Sequence, residues 1–422
     1  METSEQAERT TVLTKRSGLF VGGALLIANV ANYGFQIVTG RLLSIEEYGL
    51  LAGFMSAVTI ITVTTSALQT AAARAIAAGE NEPDKRGFFD ALTRTAMIGG
   101  VVCAAGIAAL SPIVSRFLNI GILPIFLLGL YVLPSALDSI AAGRLQGSER
   151  FSGLALYSAG QAIAKVSVAA IVLAIGLHVT GIIAGLCISC AIIAIWGSIA
   201  SRPAGAINTH VHGREMRRSF GAFLLFWVIL SADIAFARAF FEPKAAGVYA
   251  AAAVLGKAVL WLPSMASQLL FPQLADRSAK GLATDRVMRS GVLLILTLSV
   301  AAVIGLRLFG EPIFTLLYGS RYDGAADIAW KIGLAMFPLA LVNLRLLHFL
   351  ARGQGRFLWW MSAAALGEVL ALYLAPKNGT TYAVIIAATG VVLLASMTPR
   401  RIWRGLPFTR QAVDRDDELQ RP

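Results

Sequence analysis

Charged residues are scarce in this chain: Asp, Glu, Lys and Arg make up 14% of it, against about 25% in a typical soluble domain. Cysteine is scarcer still. Cys103, Cys187 and Cys190 all stand inside apolar runs, which excludes a disulfide framework of the secreted kind. Cys187-Ile188-Ser189-Cys190 has redox-motif spacing, but its flanks, Gly185-Leu186 and Ala191-Ile192-Ile193, belong to a membrane helix, so packing is its expected role. There is no Walker phosphate loop, no H-E-x-x-H and no G-x-S-x-G in a loop. Nor is any internal loop long enough to fold into a catalytic domain. An ATP-driven pump and a hydrolase are therefore unsupported, and neither enzymatic activity nor a cofactor is expected. His210 and His212 have no cysteine or acidic cluster beside them, so no metal site is expected either.

What the chain has instead is apolar length. Hydrophobic residues form 57% of its 422 positions and the mean hydropathy is +0.70. They come in runs of about 20, the length that crosses a bilayer as a helix. The runs predict twelve spans in an all-α polytopic membrane protein: Gly18 to Thr39, Tyr48 to Ala73, Phe88 to Leu110, Ile120 to Ala142, Phe151 to Leu177 and Val179 to Ile199, then Phe220 to Phe241, Gly247 to Leu274, Met288 to Leu308, Ile328 to Leu350, Phe357 to Leu374 and Tyr382 to Met397. The first resembles a signal peptide behind Lys15-Arg16, but it runs past any cleavage length and reads as helix 1.

The expected organisation is a cytoplasmic segment 1–17, a six-helix bundle 18–200, a connecting loop 201–219, a second six-helix bundle 220–398 and a tail 399–422. The net charge of +12 comes from basic residues scattered over short loops, which argues against nucleic acid. Most lie on one side of the predicted spans, for example Lys85, Arg86, Arg144, Arg150, Arg202, Arg214, Arg217 and Arg218. That asymmetry predicts a cell-membrane protein with both termini in the cytoplasm.

The halves also resemble each other. Arg144-Leu145-Gln146-Gly147, followed by Phe151, recurs as Arg352-Gly353-Gln354-Gly355, followed by Phe357; Ser111-Pro112-Ile113 recurs as Glu311-Pro312-Ile313; Arg41 with Gly49 recurs as Arg238 with Gly247. All three matches are about 200 residues apart, a spacing of six helices. An even number gives both halves one orientation, related by an axis along the membrane normal. The expected result is two pseudo-symmetric bundles around a central cleft, the architecture of an alternating-access carrier.

The stretches Asn29-Val30-Ala31-Asn32-Tyr33-Gly34-Phe35-Gln36, Gly40-Arg41-Leu42-Leu43-Ser44-Ile45-Glu46-Glu47-Tyr48-Gly49 and Ser66-Ala67-Leu68-Gln69, with Arg74, resemble the opening of the polysaccharide-transporter (Wzx-type oligosaccharide flippase) family. That family belongs to the superfamily of multidrug and toxin extruders and lipid II flippases. The resemblance implies flipping of a polyprenyl-pyrophosphate-linked oligosaccharide from the cytoplasmic to the outer leaflet. Membrane lipids are then surroundings, and a polysaccharide polymerase and glycosyltransferases are partners.

A charged side chain at mid-membrane costs about 2.5–3.5 kcal/mol on insertion scales, so each one is a functional candidate. Lys165, Asp233, Lys257 and Glu368 fall well inside their spans, with Asp138 and Arg345 nearer the cytoplasmic side. Asp233 and Lys257 stand at similar depth on consecutive antiparallel helices, which allows either a structural ion pair or a lysine offered to a pyrophosphate. Asn29, Asn32 and Gln36 share one face of helix 1, and Gln69 and Arg74 extend that strip towards the cytoplasm. These amides either cross-link helices or meet sugar hydroxyls. Lys165 and Arg345 are further pyrophosphate candidates, and Asp138, Asp233 and Glu368 are candidates for carrying a coupling ion. Two other functions compete: an ion-coupled multidrug exporter of the same architecture, whose cleft should be rich in carboxylates and aromatics, and a non-transporting scaffold that recruits glycosyltransferases.

Overall fold

The computed structural model describes residues 23–24, 26–77, 85–201, 213–260, 285–351, 355 and 357–397, and among them every regular element is an α-helix. Lys15, Arg16, His210, His212, Arg352-Gly353-Gln354, the tail 399–422 and the side chain of Arg74 lie outside the described residues. The first bundle comprises α1 (26–42), α2 (Ile45–Ala77), α3 (Lys85–Leu118), α4 (Ile122–Gly147), α5 (Phe151–Ala174) and α6 (Val179–Ala200). The second comprises α7 (Gly213–Phe240), α8 (243–260), α9 (Asp285–Tyr318), α10 (Ala325–Ala351), α11 (Phe357–Leu374) and α12 (Gly379–Met397). Ten of these are long and apolar enough to cross a membrane as described. In a medium without water every backbone amide must be satisfied inside its own segment, and only the helix does that for these apolar runs.

The repeat is visible in the packing. In the first bundle α4 is central, lying against α2, α3 and α6, and in the second α10 lies against α9 and α12. The most apolar stretches of α4 and α10 are 56% and 61% buried within the protein, whereas those of α3 and α9 are 11% and 17% buried and face outward. Both outer helices run past their proline, Pro112 or Pro312, and end at Leu118 and Tyr318, well beyond the predicted ends at Leu110 and Leu308. A proline inside a membrane helix is tolerated because its neighbours re-satisfy the freed backbone group. Each then stops on a left-handed residue, Asn119 (φ 50°) or Gly319 (φ 85°). Such a residue closes a helix C-terminus by turning the following amides back onto its last carbonyls, as in Ile120 N–H to Ser115 O at 3.1 Å and Gly319 N–H to Thr315 O at 3.1 Å.

At the start of α2, Ser44 and Glu47 form a reciprocal capping box: Glu47 N–H donates to Ser44 Oγ at 3.1 Å and Ser44 N–H to Glu47 Oε2 at 3.2 Å. Small residues bring the helices together. A Cβ on Gly147 would come within 2.9 Å of Ala73 Cα, and one on Gly256 within 2.7 Å of Ala329 O. So the glycine that ends the Arg144-Leu145-Gln146-Gly147 element is where α4 meets α2. The same element supplies Gln146 Oε1, which accepts from Gln69 Nε2 at 3.0 Å. Gly49 on α2 and Gly247 on α8, equivalent in the repeat, meet each other, because a Cβ on Gly49 would lie 2.8 Å from Gly247 N. Two equivalent positions can touch only near the axis that relates the halves. Ser56 Oγ, which donates to Ser231 O at 2.6 Å, continues that seam between α2 and α7.

Candidate functional site

A cavity of about 630 Å3 opens between the bundles. Its walls come from α1, α2, α4, α5 and α6 on one side and from α7 and α8 on the other. Among the described residues three side chains with formal charge line it, Asp138, Lys165 and Lys257. The amides of Asn29, Asn32, Gln36 and Gln161, the hydroxyls of Ser56, Thr59, Thr62 and Ser135, and the rings of Tyr33, Tyr131 and Trp227 share the walls. A polar, partly cationic interior inside an apolar shell suits a solute carrying anionic and hydroxyl groups.

The two lysines differ in their surroundings. Lys257 Nζ donates to Asp233 Oδ1 at 2.7 Å and to Leu230 O at 2.6 Å, while Tyr249 Oη donates to Asp233 Oδ2 at 2.8 Å. Asp233 is fully buried behind the wall, and its charge is met by Lys257. Lys165 Nζ donates only weakly to Asn32 Oδ1, at 3.3 Å, and lies 4.7 Å from the centre of the Phe35 ring. Among the described residues no carboxylate lies within ion-pair distance of Lys165. Asn32 is held in place by its own bond, Nδ2 to Ala28 O at 3.0 Å. Lys165 is therefore a positioned cation with no carboxylate in ion-pair distance among the described residues.

Asp138, on α4, lines the same cavity as Lys165. Its Oδ1 accepts from Tyr157 Oη at 2.5 Å and from Gln161 Nε2, and Gln161 is one helical turn before Lys165 on α5. Tyr157 is fixed from behind by stacking on Trp196, with ring centres 5.9 Å apart, and it fits only because residue 197 is glycine. In the second bundle Glu368 on α11 is 2% exposed, and neither of its carboxylate oxygens has a hydrogen-bond partner among the described residues.

This architecture, twelve helices in two like bundles around a polar cavity, can be compared with known proteins. The sequence matches the family described as "Polysaccharide biosynthesis protein" over residues 38–327. The chain belongs to that family. No curated protein sequence matches it significantly. Its fold is similar to that of the lipid II flippase MurJ in an inward closed conformation, with a TM-score of 0.73 at 10% identity over 90% of this chain and 86% of MurJ. It is also similar to an inward-facing multidrug resistance MATE family transporter of the MOP superfamily, with a TM-score of 0.68 at 11% identity over 94% of this chain and 96% of the other. A MOP superfamily transporter from Pyrococcus furiosus has a TM-score of 0.59 at 13% identity, over 91% and 94% of the two chains. The chain is thus a multi-pass membrane protein with the fold of the MOP superfamily.

In this member of the polysaccharide biosynthesis family, six of the residues singled out from the sequence line one cavity: Asn29, Asn32, Gln36, Asp138, Lys165 and Lys257. Asp233 stands immediately behind Lys257. Gln69 is not in the cavity wall, being bonded to Gln146 where α2 meets α4. Arg345 is half-buried on α10 and Glu368 is buried on α11, both away from the lining. The sequence reading passed over Ser56, Thr59 and Thr62, whose spacing of three along α2 was the signal available. Hydroxyls in membrane helices commonly bond their own backbone, as Thr59 does to Met55 O and Thr62 to Val58 O, both at 2.9 Å. Sequence alone therefore does not separate a cavity-facing threonine from one buried against a neighbour.

Proposed function

We propose that this protein flips a polyprenyl-pyrophosphate-linked oligosaccharide from the cytoplasmic to the outer leaflet of the cell membrane by alternating access, for surface polysaccharide biosynthesis. The observation that carries this reading is Lys165, an ammonium without an ion-pair partner among the described residues, fixed in the wall of a cavity between two like bundles, in a chain of a polysaccharide biosynthesis family. A desolvated cation attracts a phosphate far more strongly than it would in water, because the low local dielectric does not screen the pair. The amides of Asn29, Asn32 and Gln36 and the hydroxyls of Thr59 and Thr62 are placed to take up sugar hydroxyl hydrogen bonds. Lys257 serves as the second cation, shared between Asp233 and the cavity. Asp138, Asp233 and Glu368 are the carboxylates through which an ion would couple to transport. Both termini lie in the cytoplasm in this reading, and a polymerase and glycosyltransferases act before and after the flip.

The decisive experiment measures surface polysaccharide, and the accumulation of lipid-linked oligosaccharide in the inner leaflet, for Lys165→Ala and Lys165→Arg. Loss of export with Ala and partial export with Arg, at equal protein in the membrane, is the expected result. Unchanged export by Lys165→Ala would remove the reading. Asp138 favours a second one, because its carboxylate lines the same cavity and suits a cationic solute: an ion-coupled multidrug exporter. Drug hypersensitivity on deletion, with polysaccharide intact, is its distinguishing outcome.

A further inference from the structure

At one end of the molecule, where α1 runs into α2 and α7 into α8, the bundles hold each other twice. Arg41, in the last turn of α1, donates from Nη1 to Leu316 O at 2.9 Å, near the C-terminus of α9. Arg238, in the last turn of α7, donates from Nη2 to Asn119 O at 2.6 Å, just past the C-terminus of α3. These arginines are equivalent in the repeat, and so are the helix ends they reach. Each bundle thus sends one guanidinium from its first helix onto the closing carbonyls of the other bundle's third. Return bonds complete both contacts: Arg321 Nη2 donates to Arg41 O at 2.6 Å, Tyr322 Oη to Gly40 O at 2.7 Å and Asn119 Nδ2 to Ala239 O at 3.2 Å.

We propose that Arg41 and Arg238 form a two-bolt latch that shuts this end of the cavity and must release before the cavity can open there. The order of residues along the helices places the latch over the cavity. Gln36 and Ala52 are the lining residues of α1 and α2 nearest this end, and Gly40, Arg41, Tyr48 and Gly49 lie beyond them. The rings of Tyr48, Tyr318 and Tyr322 fill the space between, with centres 5.3–6.0 Å apart.

The chemistry of the bolts suits a contact that forms and breaks repeatedly. A charge-assisted bond to a helix C-terminal carbonyl gains from the negative end of the helix dipole. Its acceptor is nevertheless neutral, so release separates no ion pair and leaves no bare carboxylate buried. The bolts are not identical. Arg238 is 8% exposed, its Cγ lies 2.9 Å from where a Cβ on Gly53 would stand, and its Nε has no partner among the described residues. Arg41 is exposed, and its contact relies on the return bonds from Arg321 and Tyr322.

The test requires no substrate, so its outcome is independent of what the protein carries. Native Cys190 lines the cavity, and with Cys103→Ser and Cys187→Ala it becomes the single thiol. Its modification by a membrane-impermeant maleimide is followed from each face of oriented vesicles. A Lys244→Cys reporter in a chain otherwise without cysteine marks the latched face. Removal of both bolts in Arg41→Ala with Arg238→Ala should speed Cys190 modification from that face by about tenfold or more, the factor of at least one charged hydrogen bond. Arg41→Lys with Arg238→Lys should fall between this and wild type. An unchanged rate in the double alanine variant overturns the latch. If that variant does not accumulate, Asn119→Cys with Ala239→Cys decides. Oxidation of that pair should slow labelling of Cys190, read on its own proteolytic peptide, from the latched face, and reductant, removed before labelling, should restore it. A rate indifferent to oxidation overturns the proposal equally.

Discussion

The Lys257–Asp233 pair yields a prediction that separates structure from transport. Its charges are 2.7 Å apart, and Asp233 is fully buried. At an effective dielectric of about 20 the gross attraction at that distance is about 6 kcal/mol, most of which offsets the cost of taking both groups out of water. In Lys257→Ala, the Tyr249 hydroxyl is the hydrogen-bond partner left to Asp233 among the described residues, so a buried charge loses its counter-charge. Breaking such a pair from one side typically costs about 3–5 kcal/mol, whereas replacing both members by neutral groups of similar volume is close to neutral. Thermal unfolding in detergent should therefore show a marked drop for Lys257→Ala, a similar drop for Asp233→Ala, and near-recovery for Lys257→Met with Asp233→Asn. Export of surface polysaccharide should follow a different pattern. Because Lys257 also lines the cavity, the neutral double variant should recover stability but not transport. Full export by the double variant would refute a substrate-binding role for Lys257 and leave it as a structural partner of Asp233.

Other expectations are more local. Gly49→Ala and Gly247→Ala each place a methyl group against backbone of the opposite bundle, with Gly247 N at 2.8 Å in the first case, and should cost about 1–3 kcal/mol in unfolding measurements. Gln69→Ala should lower stability by only about 0.6 kcal/mol and leave export intact, because Gln69 bonds Gln146 and not the cavity. Loss of export with unchanged stability would return it to the substrate path. Glu368→Gln preserves shape at a site where neither oxygen has a partner among the described residues, so the melting temperature should not fall. If Glu368 carries the coupling ion, that variant should nevertheless lose the dependence of transport on an imposed ion gradient, and a wild-type dependence would exclude the role.

Much of this was legible along the chain, for one physical reason. In a membrane the backbone must satisfy itself, so apolar runs of helical length have a single outcome. The spans, the even repeat and the cost of each buried charge all follow from residue order. The third and ninth helices run past Pro112 and Pro312 to Leu118 and Tyr318, beyond the predicted ends at Leu110 and Leu308, because neighbouring helices re-satisfy the backbone group that a proline frees. Asn29, Asn32 and Gln36 could be assigned to one face because helical period alone puts them there. Only the tertiary structure could say what that face meets.

The sequence thus determined the class of the protein, its two-fold internal plan and a short list of polar residues with no reason to face lipid. It did not determine which of them share a cavity. Asp138, Lys165 and Lys257 come from α4, α5 and α8, and no periodicity relates positions on three helices. Nor could it distinguish the two lysines. Whether an ammonium is neutralised depends on whether a carboxylate lies within a few ångströms, and that distance is set by packing between helices: Asp233 reaches Lys257 at 2.7 Å, while Lys165 has the amide of Asn32 and the face of Phe35.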